Sequence, residues 1–294
     1  MQPPKTVTEP SELQPFLFAA WPEVKKTKVR QWLKFGAVRV NDRAVTRHDH
    51  PLRPGDKVHI QPEKPNPAAE ALPEGMRVLF EDESIIVIEK PANLLSVATD
   101  KGMEDTAYTA LTDYVKQRSR KPAARVWIVH RLDRETSGVM VFARTEEAKK
   151  FLQTEWQRME KRYLAVVEGQ PPKQQGTLRH HVDESQPHRV FIRAAAADTR
   201  EAVTHYRVLR THGERTLVEL TLETGRRHQI RVQLAEIGCP VAGDGKYGAK
   251  SAGKGRRLAL HASWLKILHP DTGKETVFEA PLPAELAGLV RKEV

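Results

Sequence analysis

The stretch His130–Gly138, which reads HRLDRETSG, places four charged side chains between two apolar runs. Asp133 stands between Arg131 and Arg134, and nearby positive charge favours the ionised form of a carboxylate. An ionised carboxylate is a poor general acid, but it can act as a nucleophile or as a base. The same residues could also form a salt-bridged turn whose hydroxyls bond to local backbone groups. From this stretch alone both interpretations stay open.

A second group of basic residues occupies Thr224–Arg231, which reads TGRRHQIR. This segment begins a predicted helix, in which Arg227 and Arg231 would lie one turn apart. The glycine-rich stretch Gly238–Gly248, GCPVAGDGKYG, follows. Glycine lets a backbone approach a flat or phosphorylated group closely. The spacing fits neither a Walker motif nor a dinucleotide-binding motif.

Three histidines in one polar segment suggest a different chemistry. His180, His181 and His188 lie near Asp183 and Glu184 in the sequence LRHHVDESQPHR. Together they would suit a metal-dependent nuclease, but their spacing matches no recognised set of metal ligands. The sequence therefore predicts no metal site, and activity that survives EDTA would exclude the nuclease.

The elements around these residues alternate between short strands and helices. Apolar runs before and after HRLDRETSG predict two strands, so that the motif becomes a loop at the end of a sheet, where catalytic groups are often mounted. KRYLAVVEG alternates as a strand with Tyr163 on one face. Residues 146–160 predict an amphipathic helix whose apolar stripe, including Trp156, packs in the core. The order predicts an α+β fold with a mixed, mainly antiparallel sheet and flanking helices.

Composition points to a polyanionic partner. The chain has a formal net charge of +10 and a pI of about 9.7, which favours nucleic acid over a membrane surface. Cys239 is the only cysteine, so no disulfide framework or cysteine-based zinc site is expected. The start of the chain lacks the apolar core of a signal peptide, and no apolar run is long enough to cross a bilayer. A cytoplasmic location is the expectation.

The chain is predicted to divide at a proline-rich linker. We expect a small α/β domain over residues 1–62, a linker over 63–75 and a large domain over 76–294. The small domain combines a basic helix with a hairpin around Asn41-Asp42, a surface that can bind a phosphate backbone. Its candidate RNA-binding residues are Lys25, Lys26, Lys28, Arg30 and Lys34.

Residues 24–60 of this small domain resemble the S4 RNA-binding domain. The resemblance lies in the basic helix, in GAVRVND and in PGDKVHI. It implies a small fold that docks on structured RNA. The family usually has Asn-Gly at the hairpin turn, where this chain has Asp42, and aspartate tolerates that backbone conformation.

The large domain resembles the RluA-type pseudouridine synthases across residues 77–285. The resemblance lies in HRLDRETSG, KRYLAVVEG, TGRRHQIRVQLAEIGCPVAGDGKYG and LALHA, which occur in the family's order. It implies that Asp133 is the catalytic aspartate and that Arg131 enters the RNA stack where the target uridine leaves. It also implies that Tyr163 stacks on the flipped base and can help to deprotonate it. Arg231 would pair with the catalytic carboxylate.

Further expectations follow from the same resemblance. Leu260, in LALHA, would form an apolar wall of the pocket, and Arg226 and Arg227 would bind RNA. Gln233 stands where the family often has histidine, which we expect to alter packing rather than chemistry. An S4 domain ahead of such a catalytic domain is also a common arrangement in that family.

The expected activity is isomerisation of specific uridines in structured RNA by base flipping, without a cofactor, in a monomer that does not bind membranes. Ribosomal RNA of the large subunit is the favoured substrate, and transfer RNA remains an alternative. The chemistry could proceed by attack at the sugar, by attack at the base or by removal of a proton from C2′. A non-catalytic RNA-binding or ribosome-assembly protein on the same scaffold is the competing hypothesis.

Overall fold

The computed structural model describes residues 4–24, 26–34, 37–60, 72–98, 105–119, 124–252 and 257–291. Lys25 lies outside these residues, as do the side chains of Lys28 and Lys34. The chain divides into two compact units, residues 1–70 and 71–294. Their boundary falls within the predicted linker, most of which is also outside the described residues.

The first unit combines two short helices with small antiparallel sheets, one in the order β1-β6-β3-β4 and one formed by β2 and β5. Its elements are β1 (Lys5–Thr6), β2 (Ser11–Glu12), α1 (Leu13–Ala20), α2 (Lys26–Lys34), β3 (Val38–Val40), β4 (Arg43–Ala44), β5 (Pro51–Leu52) and β6 (Lys57–Ile60). Asn41 and Asp42 form the predicted hairpin turn with φ values of 49° and 66°. Asparagine and aspartate tolerate this left-handed region better than most residues. The helices close over a core that includes Leu17, Trp21 and Val29.

The second unit is built on one large sheet in the order β13-β12-β14-β15-β11-β16-β10-β8-β7, with β17 paired to β16 and β9 to β10. The strands are β7 (Arg77–Glu81), β8 (Ile85–Lys90), β9 (Trp127–Ile128), β10 (Ser137–Ala143), β11 (Glu160–Glu168), β12 (Gln175–Asp183), β13 (Phe191–Arg193), β14 (Arg200–His212), β15 (Arg215–Leu222), β16 (Leu260–Leu268) and β17 (Glu275–Glu279). The helices are α3 (Ala107–Arg118), α4 (Glu146–Glu155), α5 (Gln229–Glu236) and α6 (Ala284–Gly288). This mixed, mainly antiparallel sheet with flanking helices confirms the predicted fold class.

Strand β10, which leaves the HRLDRETSG loop, is buried along its whole length. Val139 and Val141 face a core that includes α4, whereas Met140 and Phe142 face a core that includes α3. Its first residues pair in parallel with β16, and the Cβ that a larger residue would add at Gly138 would lie 2.1 Å from the Ala262 carbonyl oxygen. The glycine that ends the motif therefore permits a close approach of two strands.

Helix α4 is shorter than the sequence predicts. It begins at the N-cap Thr145, whose Oγ1 accepts the Ala148 amide N–H at 3.0 Å. It ends at Glu155, and a 3-10 turn over Trp156–Arg158 replaces the predicted last turn. Within the parts of the chain described, no helix combines the length and apolar character needed to span a membrane.

Candidate active site

A cleft of about 440 Å³ opens in the second unit. Its walls come from the HRLDRETSG loop, from β11, from the segment before α5 and from the start of β16. The lining residues are Val129, His130, Arg131, Leu132, Asp133, Thr136, Trp156, Lys161, Tyr163, Glu184, Leu222, Gly225, Arg226, Arg227, His228, Gln229, Ile230, Arg231 and Leu260. The motifs that are far apart in the sequence thus meet around one space.

Three anchors hold the HRLDRETSG loop. The His130 Nε2 accepts the Val141 amide N–H at 3.1 Å. Ser96 Oγ donates to the Leu132 carbonyl at 2.7 Å and accepts the Leu132 amide N–H at 3.1 Å. The buried Lys90 Nζ donates to carbonyls of two segments, that of Leu94 at 2.7 Å and that of Arg134 at 3.2 Å. Because buried polar atoms are costly to leave unpaired, these bonds fix the loop geometry.

Asp133 begins a tight turn, since its carbonyl accepts the Thr136 amide N–H at 3.2 Å. Its carboxylate is 21% exposed and lies 3.4 Å from Nη1 of Arg231. The sequence suggested Arg131 and Arg134 as its cationic neighbours, and this is wrong. Arg131 is exposed, Arg134 Nε donates to the Asn93 carbonyl at 3.4 Å, and neither forms an ion pair with Asp133 in the described structure.

Arg231 lies on α5 and is 4% exposed. Its Nε and Nη2 donate to the two carboxylate oxygens of Asp244 at 2.6 and 2.9 Å, which leaves Nη1 for Asp133 at 3.4 Å and Glu135 at 3.6 Å. Burial alone would lower the pKa of this guanidinium, but the carboxylates, Asp244 first, outweigh burial and raise it. Arg231 is therefore a permanent cation shared among three acidic side chains.

The glycine-rich stretch holds Asp244. Gly243 has a φ of 81°, and a Cβ there would lie 2.3 Å from the Arg257 carbonyl oxygen, so a side chain would not fit. Asp244 follows with 2% exposure, and its Oδ1 also accepts the Lys246 amide N–H at 3.2 Å. The close approach that Gly243 permits is thus between two segments of the protein, and not between the backbone and a bound group. Sequence reasoning missed Asp244, although it stands in a motif that we had singled out.

The start of α5 brings a histidine to Asp133. His228, at φ 51°, is the N-cap of the helix, so Arg227 precedes α5 and the predicted helical pairing of Arg227 with Arg231 is wrong. Tyr247 Oη accepts the Val190 amide N–H at 3.0 Å and can donate its own proton to His228 Nδ1 at 2.8 Å. The other ring nitrogen, Nε2, lies 3.9 Å from the Asp133 carboxylate. Burial lowers the pKa of His228, which favours the neutral ring.

Tyr163 lies on β11 at a register shift in the pairing with β16, and it lines the cleft together with Leu260. A bulge of this kind re-aims side chains relative to a regular ladder. Burial raises the pKa of the Tyr163 phenol, and the negative charge of Asp133 adds to the effect. The hydroxyl is therefore neutral.

The remaining predicted RNA-binding residues differ in exposure and in the hydrogen bonds that their side chains already form. Arg226 Nε donates to the Glu201 carbonyl at 3.0 Å. The Arg227 guanidinium is half-buried and donates to the carbonyls of Glu184, Gln186 and Pro187. Lys26 and Arg30 are exposed in the first unit. Binding of RNA by these four residues stays a prediction.

The cleft lining also includes residues that the sequence did not single out for function. The His130 ring stacks on Trp156 with 4.3 Å between ring centroids, and Lys161 Nζ donates to the Trp156 carbonyl at 3.0 Å. The sequence placed Trp156 in the core. It does pack against the core, but it also lines the cleft, in the 3-10 turn that follows the end of α4 at Glu155.

Two other expectations concern residues that do not line the cleft. Gln233 is buried, accepts from Thr204 Oγ1 at 2.6 Å and donates to the Ala202 carbonyl at 2.9 Å, so its amide joins α5 to the sheet. The described residues contain no group of His, Cys, Asp or Glu side chains arranged to hold a metal ion, His180 and His181 included.

Comparison with known proteins identifies the family of the chain. Residues 84–236 match the family described as RNA pseudouridylate synthase. The chain is 35% identical to the uncharacterized RNA pseudouridine synthase YlyB of Bacillus subtilis, over 94% of this chain and 91% of that protein. It is 34% identical to the ribosomal large subunit pseudouridine synthase D of Neisseria meningitidis, over 92% and 75% of the two chains.

A solved structure shows the same likeness. Human RNA pseudouridylate synthase domain containing 4 superposes with a TM-score of 0.62 and 26% identity, covering 75% of this chain and 93% of that one. The order of motifs, the cleft in which they meet and these relatives agree, and the chain belongs to the RNA pseudouridylate synthase family.

Proposed function

We propose that this protein isomerises uridines to pseudouridines in structured RNA, and that Asp133 carries the reaction. The observation that supports this most directly is the position of the Asp133 carboxylate, which lies inside the cleft and is paired with the buried Arg231. Tyr163 and Leu260 line the same space, as a site that receives a flat base requires. A protein that only binds RNA has no use for a carboxylate in this position, because it repels phosphate.

The reaction detaches uracil from C1′ of its ribose, rotates it and rejoins it through C5. Asp133 can serve each of the three routes that the sequence left open, since a carboxylate can attack C1′, attack the base or remove the C2′ proton. Atoms and electrons balance without an external reactant, so the proposal includes no cofactor. Arg231 holds the carboxylate in place, and the hydrogen bonds of Asp244 hold Arg231.

We assign Tyr163 to stacking and positioning of the base rather than to general-base catalysis. Its phenol is neutral because burial raises its pKa, and a neutral phenol can donate a hydrogen bond but accepts a proton poorly. Its place beside Leu260 gives the flipped base an aromatic surface and an apolar wall.

The uridine must leave the RNA stack before it can enter the cleft, at a cost of a few kcal/mol. Arg131 is exposed on the same loop as Asp133, two residues before it. A planar guanidinium can occupy a vacated position in a base stack. We therefore assign Arg131 to the place that the flipped base leaves.

We further propose that residues 1–62 form an S4-like RNA-binding domain and that the substrate is ribosomal RNA of the large subunit. The basic helix α2 and the hairpin turn at Asn41-Asp42 support the first part. Several relatives at about 34% identity are named ribosomal large subunit pseudouridine synthase D, which supports the second. Mapping of the pseudouridines that are lost from total RNA when this protein is deleted identifies the substrate.

The proposed activity is tested by tritium release from RNA that carries C5-labelled uridine. We expect release by the wild-type protein and none by Asp133→Asn, which keeps the size of the side chain but removes its charge. RNA affinity should stay within about twofold, since the change removes no phosphate contact. Asp113→Asn, an exposed carboxylate on α3, is the matched control and should retain full activity. Turnover by Asp133→Asn would contradict the assignment.

A further inference from the structure

Lys161 is a buried cation without an anionic partner. Its side chain lies in the cleft lining, the residue is 8% exposed, and its ammonium forms no ion pair with any carboxylate in the described part of the chain. Its Nζ donates a hydrogen bond to the Trp156 carbonyl at 3.0 Å and lies 5.5 Å from the centroid of the Trp156 ring. An ammonium has three N–H donors, so donors remain for a group that enters the cleft.

A second donor stands beside it. The His130 Nε2 accepts the Val141 amide N–H, so the proton of the neutral ring is on Nδ1. Burial and the nearby Lys161 lower the pKa of His130 to about 3, which keeps the ring neutral at ordinary pH. Nδ1 has no hydrogen-bond partner among the residues described. Stacking on Trp156 at 4.3 Å fixes the ring plane.

A desolvated cation that lacks a counter-charge is costly, and proteins rarely keep one without a use. The same cleft contains a buried cation that does have counter-charges, because Arg231 forms ion pairs with Asp133, Glu135 and Asp244. An acidic side chain beside Lys161 would remove the cost. Asp133 and Glu184 line the same cleft, but no carboxylate of the described residues forms an ion pair with Lys161, which fits a negative charge that arises only when substrate reacts.

We propose that Lys161, with His130 beside it, binds a carbonyl oxygen of the reacting uracil and stabilises the negative charge that develops there. This inference rests on the proposed function. When the bond between N1 and C1′ breaks, the electron pair leaves with N1 and spreads onto the C2 and C4 carbonyl oxygens. If Asp133 instead adds to the base, the charge again falls on a carbonyl oxygen. Lys161 keeps its proton throughout. When C5 bonds to C1′ the electron pair returns to the new bond, the C5 proton is released to solvent, and N1 takes up a proton.

The position of Lys161 favours the base over a phosphate group as its ligand. Lys161 and Tyr163 are two residues apart on β11, on either side of the register shift with β16, and both line the cleft. The stacking surface and the ammonium therefore serve one bound group. For a phosphate, the exposed Arg134 on the adjacent loop is a more accessible cation.

The decisive variant is Lys161→Gln. Glutamine can still donate a hydrogen bond to the Trp156 carbonyl, so it retains the local structural contact while losing the charge. In single-turnover reactions at saturating RNA we expect its rate to fall about 100-fold, the usual loss when one donor to a developing oxyanion is removed. Lys161→Arg should keep most of the rate. RNA affinity should stay within about twofold for both.

Lys266→Gln is the matched control, because this lysine on the neighbouring strand already pairs with Glu160 and Glu275. We expect it to react at the wild-type rate. Rescue separates charge from packing: in Lys161→Ala, ethylammonium ions should restore part of the rate and neutral propanol should not. Circular dichroism and the melting temperature verify that each variant is folded.

Two results would overturn the inference and leave the proposed function standing. One is a Lys161→Gln rate within about twofold of wild type, while the wild-type protein makes pseudouridine and Asp133→Asn does not. The other is a loss that appears wholly as weaker RNA binding, since the ammonium would then hold RNA rather than the reacting base. A wild-type protein that makes no pseudouridine would instead remove the proposed function itself.

Discussion

The cleft lining holds one buried cation on α5 and another on β11, and the two differ in their partners. Arg231 donates to Asp244 through two nitrogens and reaches Asp133 with the third. Lys161 has a single backbone carbonyl as its hydrogen-bond partner among the described residues. Both side chains are largely removed from water, at 4% and 8% exposure. The difference therefore lies in their partners and not in their burial.

This difference separates two functions of positive charge in one site. A guanidinium presents a planar fork, so it can hold one carboxylate with two nitrogens while a third stays free for another. That geometry suits the permanent positioning of Asp133. An ammonium is a compact charge with no fixed plane. Burial lowers the pKa of Lys161, which forms no ion pair with a carboxylate of the described residues. That environment suits a transient charge on a substrate.

The largest expected effect comes from removing the ion pairs that Arg231 forms with Asp133 and Asp244. Arg231→Ala leaves Asp244 buried with no cation and frees Asp133 to rotate. We expect turnover to fall by at least 100-fold and the free energy of unfolding to fall by about 3–5 kcal/mol, the usual cost of removing one partner of a buried ion pair. Single-turnover rates and urea denaturation measure the two losses. A variant with wild-type activity and stability would show that the pairing serves neither.

A smaller effect is expected from Asp244→Asn, which keeps Arg231 but removes the carboxylate that orients it. We expect about a tenfold loss of rate with nearly unchanged RNA affinity. Because Asp244 acts through Arg231, the double variant Asp244→Asn/Arg231→Ala should be no slower than Arg231→Ala alone. Additive losses would mean that Asp244 affects activity by another route. Asp113→Asn again serves as the control.

The fold could be predicted from the sequence because its signals are local. Alternating apolar residues marked β11, and the Asn41-Asp42 turn marked a hairpin. The end of α4 could not be predicted so well, since Trp156 continues the helical apolar stripe. The chain instead tightens into a 3-10 turn there, and Trp156 faces both the core and the cleft.

The site could be predicted only where a family motif carried it. The motif placed Asp133, Tyr163 and Arg231 together, and the structure brings all three to one cleft. It did not reveal Asp244, because a carboxylate among glycines in a loop has no periodicity that indicates its partner. It also did not reveal Lys161. What distinguishes this lysine is that it has no anionic partner among the described residues, and that can be seen only in the three-dimensional structure.

The smallest expected effect concerns exposed cations of the first unit, where paired and unpaired side chains can again be compared. Lys26 and Arg30 are exposed on α2, lie near the Phe18 ring, and form no ion pair within the described residues. Arg47 in the same unit is also exposed but is bound to Asp49 at 2.8 Å. If α2 contacts the phosphate backbone, Lys26→Ala/Arg30→Ala should lower the slope of log affinity against log salt by about 2, with a modest loss of affinity. Arg47→Ala should change the slope by less. If the wild type, the double variant and Arg47→Ala all show the same slope, α2 does not contact the RNA backbone.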